Sequence, residues 1–213
     1  LELGCGTGRI LLPLLAAGID IEGVDQSEGM LRQLRADAAA LGLQPSVHTG
    51  SLQHFAVPRT FRTILAPYSV ITYLTTAADL ARFWQTVREV LAPDGLLILD
   101  TFIPRPVTPF NDFRLDYRRP HGTGTLQREK RITCEGPCNH IERRYTLLTA
   151  TGDTERSWTT LDTIHPYTRQ ALLESAASMG FHCLHTAYNY DAKSAGEPQF
   201  MVLHFGPMPG HGQ

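Results

Sequence analysis

The chain has 213 residues, enough for one well-buried α/β domain with an inserted subdomain and no need of disulfide or metal staples. Its 19 Lys and Arg against 21 Asp and Glu leave a net charge of −2, which disfavours a polyanion or an anionic membrane as partner and leaves small-molecule work, by a monomer or homodimer. Four cysteines, one of them inside a glycine-rich turn, argue against a secreted disulfide framework and for a reducing, cytoplasmic setting.

Leu1-Glu2-Leu3-Gly4-Cys5-Gly6-Thr7-Gly8-Arg9-Ile10 reads as the end of a buried strand, a glycine-rich turn and the start of a helix. Alternate glycines allow positive φ and close approach of backbone N–H groups, and a helix N-terminus behind them favours negative charge, so a nucleotide-like ligand is the expected occupant. A first helix is expected from about Gly8 to Ala17, loosened by Pro13 and stopped by Gly18. The apolar run from Ile10 to Gly18 has no basic segment before it and is too short to span a bilayer. Ile21 to Asp25 is the second strand, with the Asp25 carboxylate at its tip, where it can accept from ribose hydroxyls. The dinucleotide fingerprint G-x-G-x-x-G would need glycine at position 9, which is Arg9, so a nicotinamide cofactor loses ground.

Ser27 is the expected N-cap of a second helix carrying Met30, Leu31, Leu34, Ala38 and Leu41 on its apolar stripe and ending at Gly42. Strands follow at Ser46 to Gly50 and Phe61 to Ala66, the latter stopped by Pro67. Thr76 to Asp79 caps a third helix with a stripe of Leu80, Phe83, Trp84, Val87 and Leu91, and Pro93-Asp94-Gly95 turns it into a buried strand, Leu96 to Leu99. From Pro104 to His165 the pattern becomes alternating, with strands at Arg128 to Thr133, Ile141 to Thr149 and Arg156 to Ile164. A helix from Tyr167-Thr168 to Gly180, strands at Phe181 to Tyr190 and Gln199 to Phe205, and a frayed tail from Gly206 to Gln213 complete the chain.

Three ordered motifs, Glu2 to Gly8, Val24 to Leu31 and Leu91 to Asp100, resemble those of the class I S-adenosylmethionine-dependent methyltransferases, closely over residues 1 to 102 and in pattern over 166 to 205. The resemblance implies a doubly wound, Rossmann-like α/β fold. It has a seven-stranded, mostly parallel sheet, an antiparallel last strand and an antiparallel β insertion after strand five. On this reading residues 1–103 and 166–213 form the S-adenosylmethionine-binding core and 104–165 a substrate lid. The chain begins without methionine and already inside a strand, so a preceding segment that covers the cofactor in this family is expected to be missing.

The resemblance assigns Glu2 and the turn of Gly4, Cys5, Gly6 and Gly8 to the methionine moiety, Asp25 to the ribose, and Gln26 with Met30 to the adenine surround. Where the family has an acidic residue after strand three, this chain has Gly50 followed by Ser51, so the serine hydroxyl or the Leu52 backbone is expected to meet adenine. Ala66 and Tyr68, at the end of strand four, fall beside the transferring methyl, and Tyr68 and Tyr73 can stabilise a cation or orient a nucleophile. A hydroxyl acceptor needs a general base, for which Asp100 and His165 are the candidates.

Cys134, Cys138 and His140 have C-x-x-x-C-x-H spacing but no fourth ligand, so no metal is expected there. Eight basic residues against four acids between Arg114 and Arg144 read as a solvated face or a funnel for an anionic acceptor. The function expected is methyl transfer to a nitrogen or oxygen of a small molecule, loosely as in sugar N-methyltransferases. The alternatives are an NAD(P)-dependent oxidoreductase and a catalytically idle S-adenosylmethionine-binding protein.

Overall fold

A computed structural model describes residues 1–190 and 197–209. The chain divides into two compact units, Leu1–Ile103 with Tyr167–Gln213, and Pro104–Pro166.

The first unit opens with β1 (Glu2–Leu3), α1 (Leu11–Ala16), β2 (Glu22–Asp25), α2 (Glu28–Ala40), β3 (Ser46–Thr49) and β4 (Phe61–Ala66). A short 3-10 turn (Val70–Tyr73), α3 (Ala77–Val90) and β5 (Leu91–Phe102) follow. The second unit supplies β6 (Phe110–His121), β7 (Gly124–Glu135), β8 (Cys138–Leu148) and β9 (Thr154–Ile164). The first unit then resumes with α4 (Arg169–Ser178), β10 (Phe181–Tyr188) and β11 (Phe200–Pro207).

Its seven-stranded sheet has the order β10-β11-β5-β4-β1-β2-β3. The strands from β1 to β5 pair in parallel, whereas β11 lies antiparallel to both β5 and β10. Side-chain caps open the three longer helices: Ser27 accepts from the Met30 N–H, Thr76 from Asp79 and Thr168 from Ala171. One apolar cluster is centred on Phe83, Trp84, Phe181 and Phe205, and another on Cys5, Leu11, Leu31 and Leu34. At the opposite end of the sheet from the glycine turn, Arg59 binds Asp20 and Glu22, and Glu22 also meets His48 at 2.7 Å.

Several expectations are corrected. Helix α1 starts at Leu11 rather than Gly8, so Pro13 falls in its first turn, where a missing N–H costs little. Leu41 is 64% exposed and Met30 also faces outward, because the helix buries only Leu31, Leu34 and Ala38. The Pro93-Asp94-Gly95 turn lies within β5: Leu91 pairs with Phe61 and Leu96 with Thr63, and the residues between them loop out of register. The antiparallel unit has one strand more than its sequence pattern suggested. Irregularities between Phe110 and Arg114 and between Leu115 and Tyr117 break the period-2 alternation of β6 and hid it. Strand β10 ends at Tyr188, and Asn189 and Tyr190 continue with φ of 53° and 56°. Gly206 and Pro207 belong to β11 rather than to a frayed tail, of which residues 210–213 lie outside the described residues.

The second unit is an antiparallel meander in the order β6-β7-β8-β9. Its ladder is lined by cross-strand pairs: Arg128 and Lys130 with Asp116, Arg131 with Glu142, Arg144 with Glu129, and Arg143 with Asp162. Tyr145 and Trp158 stack across β8 and β9 with centroids 5.3 Å apart and planes 8° from parallel.

Candidate cofactor and acceptor site

The carboxyl ends of β1, β2, β3 and β4 come to one rim, where the chain order of the sheet reverses around β1, the usual place for a ligand in an open α/β sheet. Gly4, with φ +72°, leaves β1 there, and a Cβ at this position would stand 2.8 Å from Cγ1 of Val70. The turn is tied down by bonds from the Gly4 and Cys5 N–H groups to the Val24 carbonyl and from Gly8 N–H to the Cys5 carbonyl. Gly6 N–H donates to Oδ2 of Asp25 at 2.8 Å, and Ser27 N–H donates to its Oδ1 at 2.8 Å. One carboxylate thus fixes the glycine turn to the start of α2.

Glu2 lies behind this turn, 2% exposed, and its Oε2 has no hydrogen-bond partner among the described residues. Burial pushes its carboxyl up to about 7, against the opposing pull of the Leu11 N–H. Cys5 turns its side chain into the core with Leu11 and Leu31, burial raises its thiol to about 12, and only its backbone belongs to the turn.

Gln26 is exposed beside Asp25. Met30 is 49% exposed, with Sδ 3.6 Å from where a Gly6 Cβ would stand, so it flanks the turn rather than filling the core. Gly50 N–H donates to the Asp25 carbonyl, which brings Ser51 beside the tip of β2; Ser51 exchanges backbone bonds with His54, and Leu52 packs on the larger core.

Ala66 is buried at the end of β4, and beyond Pro67 both Tyr68 and Ser69 are left-handed, with φ of 58° and 57°. Their N–H groups donate to Oδ2 and Oδ1 of Asp100 at 3.0 and 2.9 Å. The Arg9 guanidinium lies 3.8 Å over the Tyr68 ring, joining this turn to the glycine turn. Tyr190 also hydrogen-bonds Asp100, and burial together with that bond raises its phenol. Tyr73 is half-exposed at the end of the 3-10 turn, and His165 follows β9 in the second unit. Sequence reading placed Ala66 to Ser69 on this rim but missed Arg9, Val70 and Tyr190 as parts of it.

A groove of about 420 Å³ lined by Thr49, His54, Phe55, Arg82, Thr86 and Glu89 contains none of the expected site residues. On the β7–β8 hairpin, the Cys134 thiol donates to Asn139 and the ring of His140 meets Thr163, and among the described residues no group of three potential ligands is placed to hold a metal ion.

The sequence model of the family described as "Methyltransferase domain" matches residues 1–95. An S-adenosylmethionine-dependent methyltransferase from Clostridium acetobutylicum superposes with a TM-score of 0.81 at 16% identity, over 97% of this chain and 82% of that one. Residues 1–95 thus match a methyltransferase domain, and the chain shares the fold of S-adenosylmethionine-dependent methyltransferases. The Streptomyces venezuelae protein DesVI shares the fold with a TM-score of 0.74 at 19% identity, over 97% of this chain and 82% of that one. Among curated proteins to which this chain is similar, the dTDP-4-amino-2,3,4,6-tetradeoxy-D-glucose N,N-dimethyltransferase of Saccharopolyspora spinosa is 27% identical over 152 residues, 71% of this chain and 59% of its own. A ubiquinone biosynthesis O-methyltransferase of Azorhizobium caulinodans is 28% identical over 102 residues, 47% of this chain and 39% of its own. The aligned stretches thus cover about two-fifths to three-fifths of the relatives' length. No helix among the described residues is long and apolar enough to cross a membrane.

Proposed function

We propose that this protein transfers a methyl group from S-adenosylmethionine to a nitrogen or oxygen of a small molecule, and does so in the cytoplasm, where its four free thiols belong. The observation that carries the reading is the bond from Gly6 N–H to Asp25, which makes the glycine turn and the acidic tip of β2 one preformed site. The residues fit the cofactor. Glu2 keeps a buried carboxylate oxygen without a partner, the backbone of Gly4, Cys5, Gly6 and Gly8 forms a cradle, and Asp25 retains lone pairs for two ribose hydroxyls. Gln26, Met30, Ser51 and Leu52 would surround adenine, with Ala66 and Tyr68 on the methyl side.

When bound, the cofactor supplies an electrophilic methyl on a sulfonium. The chain's own part is alignment and exclusion of water, which is most of what an in-line displacement requires. Arg9 covers one face of Tyr68, which leaves the phenol and the other face to orient a nucleophile. The name of the Saccharopolyspora spinosa relative makes an amino group on a nucleotide-linked sugar the first acceptor to test. The four-stranded unit selects that acceptor; its place in the chain, between β5 and the end of the core, supports this reading.

Calorimetry with S-adenosylmethionine tests the site. Asp25→Ala is expected to weaken binding by ~1–3 kcal/mol, through loss of a charged acceptor for two hydroxyls. Asp25→Asn, which preserves shape and still accepts one backbone N–H, serves if the alanine variant does not fold. Unchanged affinity in the folded variant would sink the assignment.

A further inference from the structure

We propose that Asp100 is a positioning residue of this site: its carboxylate holds Tyr68 and Ser69 in a left-handed turn that sets the Tyr68 ring and Val70 against the glycine turn. The inference rests on the function proposed above for the meaning of the site, but its geometry stands without it.

Two consecutive non-glycine residues with positive φ form a conformation that the surrounding structure must hold in place. The residue types do not favour it: neither is glycine, asparagine or aspartate, and the 3-10 turn that follows has no side-chain cap. What holds it is a side chain more than thirty residues away. Asp100, 6% exposed, accepts the Tyr68 and Ser69 N–H groups on separate oxygens at 3.0 and 2.9 Å. Bonds to a carboxylate are the stronger class, and burial keeps water from competing for them. The Ser69 hydroxyl accepts the Phe102 N–H at 3.0 Å, so β5 grips this turn through both Asp100 and Phe102, and within the 3-10 turn the Thr72 hydroxyl donates to the Ser69 carbonyl at 2.7 Å.

From the turn the constraint passes to the cofactor side through contacts already described. Val70 sits where a side chain on Gly4 would be, and the Tyr68 ring lies under the Arg9 guanidinium. On the outer side the Tyr190 hydroxyl gives Asp100 a third donor. A carboxylate engaged by three donors and covered from solvent is built to place its neighbours. That is a different task from taking a proton from an acceptor, for which an exposed face is needed.

The test uses the full chain in four forms: wild type, Asp100→Asn, Tyr68→Ala and the double variant. The first readout is hydrogen exchange at the amides of Tyr68 and Ser69 without ligand. Asparagine can accept only one of the two bonds, so exchange at these amides is expected to rise at least ~10-fold in Asp100→Asn while the sheet amides keep their protection. The second is the Kd of S-adenosylhomocysteine by calorimetry. Asp100→Asn and Tyr68→Ala are each expected to raise it about 10-fold, and the double variant no further than the weaker single, since Asp100 acts through the turn. A purely structural aspartate would lower Tm without that coupling.

If Asp100→Asn does not fold, the same readouts are taken on Asp100→Asn with Ser69→Gly, because glycine takes φ +57° freely. That pair should then bind S-adenosylhomocysteine within about threefold of Ser69→Gly alone. Unchanged exchange, or fully additive losses of affinity, would overturn the proposal. Failure of the wild type to bind S-adenosylhomocysteine would instead refute the cofactor assignment, and amide exchange would still decide whether Asp100 holds the turn.

Discussion

In the parallel-sheet unit Trp84 is fully buried between Phe83, Phe181 and Phe205, whereas in the four-stranded unit Trp158 is 38% exposed and Leu126 is the one buried apolar side chain among the described residues. The contrast follows from what covers each sheet. Helices on both faces of the first sheet let its strands run nearly continuously apolar, as Leu96 to Leu99 do. The second unit has no helix, and its strands join their side chains to one another, by arginine–carboxylate pairs and by the Tyr145–Trp158 stack. Burial holds the first together, and neighbour-to-neighbour pairing holds the second.

The largest effect expected from this division is on activity. Both apolar clusters consist of residues of the first unit, so replacing residues 110–160 by a short Gly/Ser linker should leave a cooperative melt and intact S-adenosylmethionine binding. On the proposed function methyl transfer should be abolished, because the unit proposed to select the acceptor is gone. Retained transfer with unchanged acceptor preference would remove that role from the four-stranded unit.

Next in size is Trp84→Ala. It empties the centre of the larger cluster and removes the indole bond to the Ser175 hydroxyl, at 3.0 Å, and is expected to cost about 3–5 kcal/mol of stability by denaturant unfolding. A cost below ~2 kcal/mol would mean that this core is not what holds the first unit together.

How much of this was legible in the sequence depended on the same division. Apolar stripes and Ser or Thr caps marked α2, α3 and α4 to within a residue or two, because burial and capping are local rules. The glycine turn, Asp25 and the ends of β2 and β4 were legible because alternate glycines and a carboxylate at a strand tip have few other uses. Strand β6 was not, because its bulges erase alternation and a solvated ladder leaves no apolar pattern to replace it. The Asp100 clamp was out of reach for another reason. A side chain on β5 compensating for backbone strain after β4 depends on strand register, and the aspartate itself looked only like a candidate base.

A smaller effect, and one with a sign, concerns Glu2. Its carboxyl is raised by burial from 4.5 to about 7, so the folded chain holds a proton there that the unfolded chain releases. Stability therefore falls as pH rises from about 4.5 to 7 and is flat above, the reverse of the usual carboxylate case. Urea unfolding at pH 5.5 and 8 should show this contribution in wild type, on the order of 1–3 kcal/mol, and not in Glu2→Gln. If a cationic ammonium group pairs with Glu2, binding near pH 6.5 should also release a proton, which calorimetry in buffers of different ionisation enthalpy detects. An identical pH dependence in Glu2→Gln would show that another group carries the effect.

The smallest effect makes the comparison direct, because it repeats the tryptophan substitution in the other unit. Trp158 is on β9, the last strand in the meander, with one face on Tyr145 and Arg156 5.3 Å from its ring. Trp158→Ala forfeits a stacked pair worth ~0.5–1.5 kcal/mol and a cation–π contact worth ~0.5–1 kcal/mol at an exposed site, with no cavity left behind. The loss should therefore be about 1–2 kcal/mol, a fraction of that for Trp84→Ala. A cycle with Tyr145→Ala separates stacking from simple coverage: a coupling of about 1 kcal/mol assigns the cost to the pair. A loss as large as that of Trp84→Ala, with no coupling to Tyr145, would mean that Trp158 is buried in the folded protein in solution. The four-stranded unit would then be held together by burial after all, and the difference between the two sheets would be one of partner rather than of principle.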